Sequence, residues 1–383
     1  MSQCFNPDCL NLFPNLSSNQ LCIHCHKSLL LKERFRAMSY LGEGGFGRTF
    51  VGIDIHRDDT PCVIKQLLPL QQSNSVLQKC AELFKQEAQL LKILGKHPQI
   101  PDLLAAFAQD NKLYLVQEFI EGQDLLKELK QKGQFSESEV KTFLLEMLPV
   151  LHFIHQKNVI HRDIKPENII RRNTPLDPLI YGKISNLVLI DFGVSKQVSA
   201  TMTQVGTTVG TPGYAPNEQL QGFPHPTSDL YSLAVTAIRL LTGCLRSHRS
   251  GNPQDELFNF RNFKWVWKEW LINNGLSIEP NLADVLDKML AAEIDNRFQS
   301  AKDVLSALNQ SQKVVISVQQ TPVLNNQNTS GKIPFKTPSA DYTKLEQFLV
   351  VKKWKEADQE TANIMLKIMG RESRGYLDSD DCI

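Results

Sequence analysis

The sequence has almost no charge imbalance: 42 Lys and Arg stand against 41 Asp and Glu, a net charge of +1. No global field therefore draws it to nucleic acid or to an anionic membrane surface. Long apolar runs are also missing, and none approaches the ~20 residues that cross a bilayer. Membrane insertion is not expected. The first 30 residues lack the basic start and apolar core of a secretory leader, which places the chain in the cytoplasm. In that reducing compartment its 8 cysteines point to metal rather than to disulfides. The rest of the composition is ordinary for a globular protein, with 42% hydrophobic and 22% charged residues. At 383 positions the chain exceeds one ordinary domain.

Four cysteines fall in the pattern Cys4-x4-Cys9-x12-Cys22-x2-Cys25. Two pairs of soft thiolates suit tetrahedral Zn²⁺, and so short a segment cannot fold by apolar burial alone. Residues 1–33 are read as a Cys4 zinc-ribbon-like knuckle. The alternative is a disordered tail, since the first spacing is wider than the usual x2. His24 and His26 are read as bystanders. Docking, redox sensing and simple stability all stay open as its role.

Leu41-Gly42-Glu43-Gly44-Gly45-Phe46-Gly47-Arg48-Thr49-Phe50-Val51 reads as strand, glycine turn, strand. Glycines let backbone N–H groups approach phosphate oxygens without a Cβ in the way. The Thr-Phe-Val run after the turn favours a second strand over the helix of dinucleotide-binding folds. Cys62-Val63-Ile64-Lys65 is an apolar strand with one lysine, placed to reach a phosphate. Residues 76–94 carry helical spacing through Leu83, Phe84, Leu90, Leu91 and Leu94. Glu87 falls among those apolar positions and needs a partner there. Lys65 is the candidate, with Glu82 as the alternative acid.

The organising stretch is His161-Arg162-Asp163-Ile164-Lys165-Pro166-Glu167-Asn168, followed by Leu189-Ile190-Asp191-Phe192-Gly193. An acid that orients a hydroxyl, with an amide and a second acid that hold Mg²⁺, is the minimum set for moving a phosphoryl group. In this order and behind the glycine loop, these segments resemble the eukaryotic-type (Hanks-type) Ser/Thr protein kinases. The knuckle resembles modules that precede the kinase domain in some bacterial, especially cyanobacterial, members.

The resemblance implies an α+β, bilobal kinase fold: an antiparallel five-stranded N-lobe sheet over a mainly helical C-lobe, with ATP and Mg²⁺ in the cleft. Residues 41–49 and Lys65 would hold phosphates. The backbone of Glu118 and Ile120 would face adenine behind Gln117, and Asp124 would contact ribose, cap the following helix, or do both. Asp163 would orient and deprotonate the acceptor hydroxyl, Lys165 would sit on the transferring phosphate, and Glu87 would pair Lys65. Asn168 and Asp191 would hold Mg²⁺. Protein Ser and Thr hydroxyls would be the substrates, with autophosphorylation in the segment from Asp191 to Glu218, which carries Thr201, Thr203, Thr207, Thr208 and Thr211. Arg162 could receive a phosphothreonine, and Thr211 would approach Asp163. Pro216-Asn217-Glu218 replaces the A-P-E signature, and Arg297 is the expected partner of Glu218. Asp229 is expected to cap the catalytic loop.

The kinase domain is placed at 34–309, with a helix over 137–157 bent by Pro149 and an inserted loop at about 172–185. Trp265, Trp267 and Trp270 are read as packing residues rather than a nucleic-acid surface. Residues 310–340, rich in polar residues and proline, are a linker. Residues 341–383 resume helical spacing and resemble the opening of GUN4-like domains, carried by Trp354-Lys355-Glu356-Ala357-Asp358-Gln359-Glu360-Thr361. Only the first third of such a domain is expected, so this stub is read as two helices or a protein contact rather than a porphyrin site. Two other functions stay open: an ATP-binding pseudokinase scaffold, and a zinc- or redox-dependent adaptor docking through the knuckle and stub.

Overall fold

The computed structural model describes residues 1–9, 15–44, 47–67, 84–85, 87–174, 185–192, 211–246 and 255–314, with a sparse set between 336 and 367. Met1–Val318 form one compact unit and Gln319–Ile383 a second. The threonines at 201, 203, 207 and 208, together with Glu82, Leu83, Gly193 and Trp354, lie outside the described residues.

The first layer is an antiparallel sheet of order β1-β2-β3-β4-β6-β5. β2 (Phe35–Gly44) and β3 (Gly47–Asp54) flank the glycine turn. At Gly47 a Cβ would stand 2.0 Å from the Gln66 carbonyl, so the close approach of β4 (Thr60–Leu67) requires glycine. β5 (Leu103–Gln109) and β6 (Lys112–Glu118) are joined by Asp110 and Asn111, whose φ values of 49° and 55° suit short polar turn residues. The five expected strands are joined by a sixth, β1 (Leu30–Leu31), from the cysteine-bearing segment. Two residues are too few to show alternation, so only pairing reveals this strand.

Alternation along β6 divides the sheet into two faces. Leu115 joins the main core with Leu91 and Leu94 of helix α1, described at 84–85 and 87–94. Tyr114 and Val116 join a separate cluster with Phe5, Phe35, Phe50 and Ile64. The N-terminal segment is the cover of this second face. Phe5 is 4% exposed and meets Phe50 and Tyr114 edge-on at 5.4 and 5.8 Å. Its carbonyl accepts from Gln66 Nε2 at 2.7 Å and Arg48 Nη2 at 3.0 Å. Two residues earlier, the Gln3 N–H donates to the Ala37 carbonyl at 2.8 Å. Residues 3–5 are thereby stitched to β2, β3 and β4.

The second layer is helical. α2 (Leu125–Lys132) is capped by Asp124, and α3 (Glu137–Gln156) opens with a capping box between Ser136 and Glu139. Pro149 lies inside α3, and the expected stripe of Val140, Phe143, Leu144, Met147, Leu151 and Ile154 is buried. After α4 (Asn217–Leu220) comes α5 (Pro226–Thr242), which runs through the middle of the layer. From Thr227 to Thr242 all but Tyr231 are buried, and Gly243 ends the helix at φ 70°. α6 (Trp267–Asn273), α7 (Pro280–Met289) and α8 (Ala301–Val314) pack around it. Trp267 is 1% exposed and Trp265 donates to the Tyr231 hydroxyl at 2.9 Å, so both are packing residues. The final helix continues to Val314, into the stretch read as linker.

A small sheet of order β7-β8-β9 positions the chemistry. β7 is Gly122–Asp124, β8 Ile169–Arg172 and β9 Leu187–Leu189, with Ile169 opposite Leu189. Asn168 immediately precedes β8 and Asp191 follows β9, so strand pairing brings the two motifs together. The expected insertion falls between β8 and β9, with residues 175–184 outside the described set. In the second unit Lys336–Thr337 pair with Ala340–Asp341, and Lys344 bonds Glu360 at 3.1 Å.

Because Phe5 is buried in an aromatic cluster, Phe5→Ala is expected to cost about 3 kcal/mol of stability. Chemical denaturation measures this. An unchanged midpoint would mean the N-terminal segment does not cover the sheet.

Candidate active site

Lys65 sits in β4 opposite Thr49 on one side and Leu115 on the other, which fixes its direction. Its Nζ lies 2.9 Å from Asp191 Oδ1 and 3.4 Å from Glu87 Oε1. Glu87 is 7% exposed on the apolar face of α1, beside Phe84 and Leu91. Burial alone would lower the Lys65 pKa, but the two carboxylates outweigh it and raise it above the usual lysine value. The Asp191 carboxyl, facing the Lys65 charge, is held below the usual carboxylate range.

The catalytic loop converges on Asp163, which is 5% exposed. Its Oδ1 accepts the Thr211 hydroxyl at 2.6 Å, and its Oδ2 accepts from Asn168 Nδ2 at 2.8 Å and Lys165 Nζ at 3.1 Å. Lys165 Nζ also reaches the Thr211 oxygen at 3.2 Å. Asn168 donates again to the Asp163 carbonyl at 2.8 Å, and its side-chain oxygen has no hydrogen bond among the described residues. The Ile190 N–H donates to the Asn168 carbonyl at 2.9 Å, which sets Asp191 beside the amide. Arg162 and Asp191 occupy the left-handed region at φ 69° and 62°, strain of the kind found where a backbone aims functional groups. His161 is fully buried, and desolvation keeps its imidazole neutral. In that state Nε2 donates to the Ile190 carbonyl at 3.1 Å while Nδ1 accepts the Asp163 N–H at 3.3 Å.

Asp229, also fully buried in α5, holds this loop from below. Its carboxylate accepts the N–H groups of His161 and Arg162, both at 2.9 Å, and His155 Nε2 at 2.8 Å. Burial would raise the Asp229 pKa, yet the His155 bond and these N–H groups outweigh it and hold it below the usual range. Asp229 was legible from the sequence; His155, 74 positions away, carried no local signal. Glu218 meets Arg297 at 2.6 and 3.2 Å and accepts from Ser228 at 2.7 Å. The altered Pro216-Asn217 therefore leaves the ion pair in place.

On the nucleotide side the bonds differ residue by residue. The Glu118 N–H donates to the Asp102 carbonyl and its side chain bonds Arg172, so its own carbonyl is what it could offer a base. Ile120, 4% exposed, has an N–H with no hydrogen-bond partner among the described residues. Asp124 caps α2 by accepting the Lys127 N–H at 2.9 Å. In the glycine loop Leu41 is exposed, Gly42 has open space, and Glu43 and Gly44 pair with Arg48 and Gly47. Thr49 pairs with Gly42, and Gly45 and Phe46 lie outside the described residues. The Arg48 guanidinium turns to the Phe5 carbonyl, and its backbone lies in the sheet between Glu43 and Gln66.

The four N-terminal cysteines come together with sulfurs that all lie within 4.8 Å of one another. Cys4 is 3.5 Å from Cys25 and Cys9 is 3.7 Å from Cys22. Tetrahedral zinc with Zn–S of about 2.3 Å separates its sulfurs by about 3.8 Å. Burial would raise the Cys22 thiol, but the N–H groups of Cys25 and His24 and the neighbouring thiols bring it down to about 6. Burial pushes the Cys4 thiol up.

The sequence profile described as Protein kinase domain matches residues 35–308. The chain belongs to the protein kinase family. A second profile, GUN4-like, matches residues 336–382. Serine/threonine-protein kinase B of Synechocystis sp. is 40% identical over 318 residues, covering 80% of this chain and 52% of that protein. Serine/threonine-protein kinase PknA of Nostoc sp. is 40% identical over 287 residues, covering 73% of this chain and 47% of the relative. The chain thus spans about half the length of these two kinases. Among solved structures, the Mycobacterium tuberculosis PknI kinase domain superposes with a TM-score of 0.52 at 20% identity, over 72% of this chain and 95% of that one. The PpkA-294 apo form gives 0.55 at 22% identity, over 72% and 96%. At such identity the likeness shows the kinase fold alone. Among the described residues no helix is long and apolar enough to cross a membrane.

The depressed Asp229 pKa gives a stability contribution that is present above the unfolded value near 3.8 and lost as pH falls through the lower folded value. Urea denaturation from pH 6 downward, in steps of ~0.5, reads this directly. Asp229→Asn is expected to be less stable than wild type at pH 6 and to lose less on acidification below about pH 4. Parallel acid limbs would remove Asp229 from the account.

Proposed function

We propose that the chain is a Ser/Thr protein kinase that transfers the γ-phosphoryl group of ATP to protein hydroxyls. The convergence of Lys65, Asp191, Asn168, Asp163, Lys165 and Thr211 in one cleft carries this reading. The residues fit the nucleotide and metal. Asp191 and Asn168 offer oxygens, the donors that Mg²⁺ prefers, and the Asn168 side-chain oxygen has no hydrogen bond among the described residues. The Ile120 N–H and Glu118 carbonyl suit the edge of adenine. Magnesium, when bound, neutralises charge on the phosphate oxygens.

The chain's own groups divide the remaining work. Lys65, fixed by Glu87, presents a full positive charge to the phosphates. Asp163 already accepts a threonine O–H at 2.6 Å, which supports its role in orienting an acceptor hydroxyl and taking its proton. Lys165, bonded to the same hydroxyl oxygen, stands where charge on the moving group would develop. The Arg162 Nε is buried without a hydrogen bond among the described residues, a charge suited to a phosphothreonine of the Asp191–Glu218 segment. Autophosphorylation there belongs to this reading. The scaffold alternative drew on the altered Pro216-Asn217, the insertion and the C-terminal segment, and the intact Glu218–Arg297 pair weighs against the first of these alone.

Cys4, Cys9, Cys22 and Cys25 would hold Zn²⁺, supported by sulfur spacing close to that of a tetrahedral site. Free thiols throughout the described residues fit a reducing, cytoplasmic setting.

Transfer of labelled γ-phosphate to the chain itself and to a generic Ser/Thr protein tests the kinase reading. Asp163→Ala and Lys65→Ala are each expected to lower transfer by about a hundredfold or more. Equal transfer in Asp163→Ala would sink it. Metal analysis is expected to find about one zinc per chain in wild type and little in Cys22→Ser. A metal-free wild type would contradict the zinc assignment.

A further inference from the structure

One buried charge in the helical layer plays no part in the chemistry above. Arg239 lies in α5 within Thr236-Ala237-Ile238-Arg239-Leu240-Leu241, a single cation in a run of small and apolar residues, and is fully buried. A guanidinium does not shed its proton on burial, so its donors call for acceptors; both terminal nitrogens find them, while Nε has none among the described residues. Asp255, whose side chain is 2% exposed, supplies both carboxylate oxygens, at 2.6 Å to Nη2 and 3.4 Å to Nη1. The other two acceptors are backbone carbonyls: Gly213 at 3.0 Å from Nη2 and Cys244 at 3.1 Å from Nη1. The guanidinium carbon lies 5.1 Å from the Tyr214 ring and 5.9 Å from that of Trp265.

Gly213 and Tyr214 lie in the Asp191–Glu218 segment just after Thr211, the residue whose hydroxyl rests on Asp163. Gly213 has φ 88°, and a Cβ there would stand 3.2 Å from Arg239 Nη2 and 2.9 Å from Arg246 Cδ. The turn is therefore pressed directly onto α5. A second α5 residue anchors it, since Ser232 Oγ donates to the Tyr214 carbonyl at 3.0 Å. No member of this set touches Lys65, Glu87 or Asp191 in the described contacts. The nucleotide wall of the cleft hangs on the Lys65 carboxylates, and the acceptor wall hangs on α5.

Stability alone does not account for such a pair. Well-packed apolar residues commonly replace buried ion pairs without loss. They could not, however, bond the Gly213 carbonyl or fix the turn in one place. A planar fork held on one edge by a carboxylate does both, and lysine lacks the second branch.

We propose that Arg239, held by Asp255, is a positioning residue for the protein acceptor: it fixes Thr211–Tyr214 and so the approach of the incoming hydroxyl to Asp163. This rests on the kinase reading above. Small displacements of a reacting group cost up to about a hundredfold in rate, so the effect falls on acceptor turnover and not on the nucleotide.

Steady-state transfer from Mg·ATP to dephosphorylated casein tests this, beside acceptor-independent ATP hydrolysis and the KM for ATP. Arg239→Lys keeps the charge and loses the fork, Arg239→Gln loses both, and Asp255→Asn leaves the arginine without its counter-charge. Each is expected to lower kcat/KM for casein by about tenfold or more, with ATP hydrolysis and the KM for ATP within about twofold of wild type. If an Arg239 variant fails to fold, Asp255→Asn reads the same coupling. Casein transfer and ATP hydrolysis falling in step would overturn the proposal, because the pair would then support the whole lobe. Unchanged casein transfer in all folded variants would overturn it and leave the kinase reading standing. No transfer by wild type would overturn both.

Discussion

Lys65 held between Asp191 and Glu87 is the interaction on which the rest of the cleft depends. Its three participants come from β4, from α1, and from the residue that follows β9. The distances of 2.9 and 3.4 Å therefore tie the sheet, its helix and the catalytic hairpin into one frame. Like-charged carboxylates around one ammonium are tolerable only while the ammonium stays charged. The raised Lys65 pKa and the lowered Asp191 pKa express that condition from both sides. In the proposed reaction a triphosphate would meet a cation that is already oriented, leaving little reorganisation.

Around that frame the acids are separated by burial and partner rather than by type. Asp163 is engaged by an amide, an ammonium and a hydroxyl. Asp229 sees only N–H groups and an imidazole, and works on loop geometry. Glu218 is neutralised by Arg297 and anchors the far end of the segment that Arg239 holds nearer the cleft. The sheet gains its own support from outside. Phe5 fills its outer face and joins the cysteine cluster to β3 and β4, the strands that carry Arg48 and Lys65. The N-terminal segment is thus a structural part of the six-stranded sheet.

The site was legible because its residues lie within short stretches whose spacing is itself the chemistry. Asp163, Lys165 and Asn168 occupy one loop, and Asp191 closes a strand with an acid. Glu87 stood out as a charge on an apolar helical face, and Asp229 as an acid opening a buried helix. What stayed hidden depends on distant partners. Phe5 meets residues 45 and 109 positions away, and His155 meets Asp229 across 74. Asp255 gives no sign that a buried arginine needs it. β1 exists only by pairing with β2, and the glutamines and serine near 311 fit a helix end as readily as a linker, so the helix itself runs on to Val314.

The most direct test of the central claim is calorimetric binding of ATP with and without Mg²⁺, in wild type and in Asp191→Asn. A cleft built for metal-assisted phosphoryl transfer should bind ATP more tightly when Mg²⁺ is present. That gain should largely vanish in Asp191→Asn, while metal-free binding persists. Affinity indifferent to Mg²⁺ in wild type, or an equal gain in the variant, would contradict the account.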